Sequence, residues 1–583
     1  MMKNPMRHGG DHIADVLSKW NISALFTLCG GHISPILVGC EDRKIRIVDC
    51  RDERNAVFAA DAWARMTGLP GVAAVTAGPG VTNTITALKN AQLAQTPMVL
   101  LGGATATVLK GRGALQDIDQ TSLIRSAVKL ELKCSTVAQL GPTMERALRE
   151  CRAGVPGPVF VEVPVDVLYP ESLVREWFIK EAGVEHPKTL GQRALKLYLE
   201  GHLLRQFHAP HVDVTQFVPE PPALQNTGAL LDEAAALLEK AERPALVIGS
   251  QTMVNVRDPQ LLARAVEALG LPVWLGGTAR GLLGKDSPLQ FRHARGKALK
   301  DADVVVVCGF PFDFRMKYGF GIGAKTKVIA ANLSSEELSK NRTPDVAVRM
   351  HAGEFLQKLA SKVRPKPSWQ GFIDACRQRE VARDTEIRSK AKPSGEKVDP
   401  IHFFLRLEEQ LSNDSVLVVD GGDFVATAAY ILKPRSPLSW LDPGVFGTLG
   451  VGGGFAVGAA TVRPKAEVWI VYGDGSSAYS LSEFDTFVRH GYAPIAVIGT
   501  DASWQQIARD QVTILGSAVG TGLRHTSYEK VAEGYGGKGL LLTDPAKVDE
   551  TIAEARRLSA SGVPVCINVH IAKTDFREGS ISI

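Results

Sequence analysis

Short apolar runs, each ended by a turn and followed by helical spacing, recur along the whole chain. In residues 11–170, Ile13, Val16, Leu17 and Trp20 fall on one helix face, and residues 24–28, 45–48, 72–76, 97–102 and 159–163 are apolar runs rich in β-branched side chains. Residues 56–66 have the small-residue composition of a packed helix. Runs that are apolar at every position suit strands buried on both faces, and helices between them make a doubly wound parallel sheet. The pattern returns at 245–248, 273–274, 304–307 and 328–331, with a helix over 261–269, and again from 416–419 to 565–569. Charged, proline-containing stretches at 171–226 and 364–400 separate these blocks. The spacing predicts three α/β domains, at residues 1–185, 226–363 and 397–583.

The clearest single unit is residues 468–504. A run at 468–472 meets Gly473-Asp474-Gly475, then Leu481, Phe484, Phe487 and Val488 recur at helical spacing, and a second run covers 495–498. In such a strand–helix–strand unit Asp474 and Asp501, 27 positions apart, sit at the carboxyl ends of neighbouring strands, where α/β sheets bind ligands. Two carboxylates beside a glycine turn suit a hard divalent cation that holds a phosphorylated group, although a glycine turn can also be only a loop. Gly78-Pro79-Gly80 is likewise a close backbone approach or a plain turn. Glu53 is a ligand-facing acid or an ordinary helix start. Residues 446–460, FGTLGVGGGFAVGAA, are a glycine-rich turn into a helix of small residues.

Composition narrows the class. The chain has 583 residues, 45% hydrophobic and 22% charged, as soluble globular proteins do. A formal charge of +5, spread along the chain, gives no nucleic-acid footprint. The eight cysteines form no CxxC or Cys/His cluster, which argues against zinc and a disulfide framework and for a reducing compartment. The longest mostly apolar stretch, 450–462, is glycine-rich and too short to span a membrane, and no apolar segment follows the charged first ten residues. A cytoplasmic protein without membrane partners is the expectation.

The order of motifs carries a resemblance. A Glu at a strand end (Glu53), ARxTG, TAGPGVTN, a Gln in GALQD, GPVFVEVPVDV and a GDG about 420 residues after the Glu are similar, in sequence and spacing, to the acetolactate-synthase-like branch of thiamine-diphosphate (ThDP) enzymes. The segments GGHISP, AVTAGPG, PVDVLYP and TDFR resemble the second type of 2-hydroxyacyl-CoA lyase within that branch. The resemblance implies pyrimidine-binding, central and diphosphate-binding domains, with ThDP and Mg²⁺ bound. It implies a homodimer or homotetramer with active sites at subunit interfaces. It assigns Glu53 to N1′ of the aminopyrimidine, Leu449 to a hydrophobic wedge under the cofactor and the Gly447 carbonyl to the 4′-amino group. Asp474, Asp501 and the Ser503 carbonyl would hold the metal, with Gly422, Asp423, Phe424, Gly473, Gly475 and Ser476 around the diphosphate. Gly31, His32, Asn83 and Gln116 would face the cofactor, His32 as a proton carrier or an ordinary hydrogen-bonder and Gln116 to position a carbonyl. Trp504 and Gln505 would shape an acyl pocket. Lys573 and Arg577 would meet CoA phosphates or lie in an exposed tail.

Three departures stand out. Thr500-Asp501 replaces the family's Asn pair, and Asp423 stands where a neutral amide is usual, so the anchor is more acidic and should depend more strongly on a divalent metal. Asn332-Leu333-Ser334 replaces Asp-Ile-Asp in the central domain, so neither FAD nor ADP is expected to be held tightly there. The activity implied is cleavage of a 2-hydroxyacyl-CoA to formyl-CoA and an aldehyde, reversible as an acyloin condensation. The alternatives are an acetolactate synthase and a catalytically degenerate structural or regulatory homologue.

Overall fold

The structure, a computed structural model, describes residues 7–210, 227–574 and 576. They divide into two compact units, one drawn from residues 1–64 and 69–220, the other from 65–68 and 221–583. The expected contact of Arg577 lies outside the described residues.

The first unit is built on β1 (Ala24–Leu28), β2 (Arg46–Asp49), β3 (Gly71–Val75), β4 (Met98–Ala104), β5 (Leu130–Lys133) and β6 (Pro158–Pro164). They form one parallel sheet in the order β2-β1-β3-β4-β6-β5. Strands β3, β4 and β6 are buried at every position, the signature of a sheet covered on both faces. The chain turns back between β1 and β3, so the crevice at their carboxyl ends is the natural ligand site.

The second unit carries two more six-stranded parallel sheets. The central one has β7 (Pro244–Ile248), β8 (Val273–Leu275), β9 (Gln290–Phe291), β10 (Val304–Cys308), β11 (Lys327–Asn332) and β12 (Val346–Arg349), in the order β12-β11-β10-β7-β8-β9. The last has β13 (Val416–Val419), β14 (Trp440–Leu441), β15 (Val468–Gly473), β16 (Ile495–Thr500), β17 (Lys538–Leu542) and β18 (Val565–His570), in the order β14-β13-β15-β16-β18-β17. Its reversal lies between β13 and β15.

Several sequence expectations change. The stretch expected as a connector after residue 170 contains the helices Glu171–Glu181 and Leu190–Phe207. The 364–400 segment, read from sequence as a linker with a helical piece, is largely one helix, Gln370–Ser389, that packs on both neighbouring cores. Phe372 and Cys376 enter the central core and Ile387 the last one. Glu380 accepts from the backbone N–H groups of Arg292 and His293, and Asp384 meets Arg292 at 3.0 Å. His293, Glu380 and Asp384 thereby gather potential metal ligands, and Arg292 already forms ion pairs with both acids. In the helix after β15, Glu483–His490, Phe484 and Phe487 are buried, whereas Val488 is 42% exposed, because the buried stripe is narrower than the spacing suggested. Among the described residues no helix is long and apolar enough to cross a membrane.

Candidate functional site

The first unit places its chemistry around the β1–β3 crevice. Glu53 opens the helix Glu53–Thr67 and is 9% exposed. Its Oε2 accepts from Asn83 Nδ2 at 3.0 Å. A Cβ built on Gly80 would lie 3.7 Å from Glu53 Oε1 and 2.9 Å from Thr76 Cγ2, so the absence of a side chain at Gly80 keeps the carboxylate approachable. Thr76 also backs Gly30, and its hydroxyl is 3.1 Å from His32 Nδ1. Burial pushes the His32 imidazole below its ordinary pKa, so it is neutral at pH 7. Gly31 is exposed, and its carbonyl accepts from the Tyr169 hydroxyl at 2.9 Å. Gln116 takes a left-handed φ of 62° with its Cβ over Gly78. Gln120, not singled out from sequence, holds that loop: its amide donates to the Gly103 carbonyl at 2.8 Å and accepts from Gly78 N–H at 3.2 Å. Glu53, Asn83, His32 and Gln116 therefore share one end of the sheet, linked through Thr76 and the Gly78–Gly80 turn.

In the second unit, a cavity of about 410 Å³ opens at the carboxyl ends of β13, β15 and β16. Every second-unit residue predicted to bind the cofactor lines it: Gly422, Asp423, Phe424, Gly447, Leu449, Gly473, Asp474, Gly475, Ser476, Asp501, Ser503 and Trp504, with Gln505 and Lys573 beside them. The turn after β13 has Gly422 at φ 105°, open only to glycine without strain. A Cβ on Gly475 would fall 2.4 Å from the Trp504 ring, so that ring closes directly on the loop. Leu449 leans over Gly421, where a Cβ would lie 2.2 Å from Leu449 Cδ2. Phe424 instead packs its ring against Phe404, 4.4 Å between centroids, and over Gly499. The Ser476 hydroxyl donates to the carbonyls of Gly473 and Gly421 at 3.1 and 3.3 Å.

Asp474 is 3% exposed and bridges the two strand-end loops: Gly475 N–H donates to Oδ1 at 2.8 Å and Ala502 N–H to Oδ2 at 2.9 Å. Ser503 N–H donates to Asp501 Oδ1 at 3.1 Å. Burial raises the pKa of Asp474, and burial together with the Asp474 charge pushes Asp501 up to about 7, against some relief from Lys573. A buried and a half-buried carboxylate that repel one another, with a backbone carbonyl nearby, form a hard oxygen donor set that fits a divalent cation. Thr500 turns away from this pocket and donates to Asn568 Oδ1 at 2.6 Å.

Asp420 and Arg509 were not singled out from sequence. Asp420 accepts from Gly450 and Gly452 N–H at 2.9 and 2.8 Å and so fixes the start of the helix Val451–Val462, next to Leu449. Burial pushes its carboxyl up to about 7. Arg509, on the helix Gln505–Leu515, is ion-paired with Asp423. The signals were thin: Asp420 is one more acid before a glycine turn, and Arg509 lies 86 positions from its partner.

The switch point of the central sheet lies between β7 and β10, where the strand-end loops pack on one another. A Cβ on Gly249 would lie 2.4 Å from the Gly309 carbonyl and 2.7 Å from the Phe310 ring. Asn332, 1% exposed at the end of β11, accepts from Gln251 Nε2 at 2.7 Å and Ser334 N–H at 2.8 Å. The amide that stands for the family's acid is thus hydrogen-bonded inside the domain.

Comparison with known proteins follows the same division. Residues 7–123, 231–359 and 420–569 match the thiamine pyrophosphate enzyme N-terminal, central and C-terminal domains, the terminal two described as TPP-binding. The chain is 47% identical to 2-hydroxyacyl-CoA lyase 2 of Danio rerio, over 99% of this chain and 94% of that protein. It is 45% identical to the Homo sapiens protein of the same name, over 100% and 93%. A probable acetolactate synthase of Mycobacterium bovis is 33% identical over 96% and 95%.

Proposed function

This chain belongs to the thiamine pyrophosphate enzyme family, and we propose that it is a ThDP- and Mg²⁺-dependent lyase that cleaves 2-hydroxyacyl-CoA to formyl-CoA and an aldehyde. The same reaction would run in reverse as an acyloin condensation. The observation that carries this reading is the second-unit cavity, which gathers Asp474, Asp501, Ser503, Gly447 and Leu449 on one wall system. The substrate class rests on relatives at 45–47% identity that bear the lyase name, against 33% for the synthase.

When bound, ThDP supplies an acidic thiazolium C2–H and an electron sink for the carbanion left by carbon–carbon cleavage. Asp474, Asp501 and the Ser503 carbonyl would hold the metal on the diphosphate. Glu53, nearly buried and fixed by Asn83, would hold a proton at the pyrimidine N1′. Leu449 would press under the cofactor, and Asp420 keeps that loop in place. Neutral His32 is suited to take a proton near the reacting carbon, and Gln116 to orient a carbonyl by hydrogen bonding. Trp504 and Gln505 would bound the acyl pocket. We place the pyrimidine and diphosphate half-sites in different copies of a homodimer or homotetramer. Asn332, hydrogen-bonded inside the domain where relatives carry an acid, disfavours the acetolactate synthase alternative, since acetolactate synthases normally hold FAD in the central domain.

The assignment of Glu53 has a direct test. Proton NMR should show rapid exchange of the ThDP C2 hydrogen on the wild-type protein. Glu53→Ala should stay folded, and both exchange and turnover should fall at least ~10³-fold, within the range general acid–base groups contribute. Exchange at the wild-type rate in Glu53→Ala would reject the assigned role.

A further inference from the structure

We infer that Arg509 is a positioning residue for the diphosphate half of the site: it holds the Asp423 carboxylate in place and cancels the charge this chain sets beside bound phosphate. The inference rests on the ThDP reading above. Asp423 is the first residue of the helix Asp423–Ile431 and lines the cavity. The N-terminus of a helix attracts anions through its unpaired N–H groups, so a carboxylate in that first turn competes with a phosphate for the same field. With Asp420, Asp474 and Asp501 it makes four carboxyl groups on one cavity. A wall so rich in carboxyl groups is a poor receptor for a diphosphate unless cations offset it.

Arg509 supplies the offset from behind. It does not line the cavity, yet its Nη1 donates to Asp423 Oδ2, and the two side chains are only 14% and 15% exposed. An ion pair so withdrawn from water is weakly screened, and losing one partner leaves the other charge uncompensated. The helix that carries Arg509 begins at Gln505, directly after the metal loop and Trp504. The pair therefore ties the turn after β13, which would meet phosphate, to the loop after β16, which would meet metal. Lys573, on the cavity wall, stands to Asp501 in a similar relation.

The geometry has a consequence that a merely structural tie lacks. Removing Arg509 bares a negative charge beside the phosphate. Removing the charge of Asp423 takes one negative charge from beside the phosphate and leaves Arg509 with Asp510, 3.6 Å from its Nε, as a carboxylate partner. The two single variants should thus move anion affinity in opposite directions. A structural tie would weaken binding in both.

The test uses the full-length protein with saturating Mg²⁺, titrated calorimetrically with ThDP and separately with inorganic pyrophosphate. Arg509→Met should bind both at least tenfold more weakly than wild type. Asp423→Asn should bind as tightly or several-fold more tightly. The double variant should return to within about threefold of wild type, as coupled charges require. Equal weakening in both single variants, or an unchanged Arg509→Met, would overturn the inference while leaving the cofactor reading intact. A wild-type protein that binds neither probe would overturn both. Should Arg509→Met fail to fold, Asp423→Asn decides alone: equal or tighter binding supports the inference, and a tenfold loss contradicts it.

Discussion

Asp420 is a buried carboxyl group whose oxygens are met by the backbone N–H groups of Gly450 and Gly452, and burial outweighs those bonds enough to push it up to about 7. An unfolded aspartate titrates near 3.9. Because the folded pKa is the higher one, the folded state binds the proton more tightly between these values. The stabilisation this gives is complete below about pH 4 and is lost as pH rises through about 7. Asp420→Asn in cofactor-free protein should remove that term. Its melting temperature relative to wild type should climb between pH 5 and pH 8, and a flat or falling difference would contradict the burial argument. Thr500 makes a different prediction. It is fully buried, and its hydroxyl serves Asn568 rather than the metal site. Thr500→Val should cost about 1–3 kcal/mol of stability by leaving a buried amide oxygen unmet. A loss of ThDP affinity at unchanged stability would instead place Thr500 in the site. At this scale the sequence pointed to Glu53, Asp474, Asp501 and Leu449 because motif spacing locates them. It was silent on Asp420, Gln120 and Arg509, since what matters about each is a hydrogen bond or ion pair to a residue distant along the chain.

The helix Val451–Val462 shows why the glycine-rich stretch has its composition. A Cβ on Gly452 would stand 2.4 Å from the ring of Tyr472, which is fixed and buried on β15, and one on Gly453 would meet Ser480 at 2.8 Å. The helix must lie this close for its first turn to present N–H groups to Asp420. Gly452→Ala should therefore destabilise by about 1–3 kcal/mol through overpacking, although alanine is the better helix former. A more stable variant by calorimetric melting would mean the helix has room to move. The strands absent from the sequence reading are β5, β9, β12, β14 and β17, and each lies at an edge of its sheet. Edge strands are covered less evenly, so β5 reads LELK and β17 KGLLL, with charged or exposed positions breaking the apolar run. Interior strands such as β4 and β16 are buried throughout and were readable as unbroken apolar runs.

At the scale of the whole molecule, three sheets of one architecture carry different loads. Glu53 lies at the carboxyl-end crevice of the first sheet, and the Asp474–Asp501 pair lines a cavity at that of the last. In the central one Phe310 packs on Gly249 and Gly276, and Gln251 donates to Asn332. We propose that the central domain holds no FAD, which would separate the lyase reading from an FAD-bearing synthase. The most direct measurement is mass-spectrometric product analysis of the purified protein with ThDP and Mg²⁺, offered a 2-hydroxyacyl-CoA and pyruvate together. Formyl-CoA and the chain-shortened aldehyde should accumulate in equal amounts, with pyruvate untouched. Acetolactate formed from pyruvate, with the 2-hydroxyacyl-CoA left intact, would contradict the account.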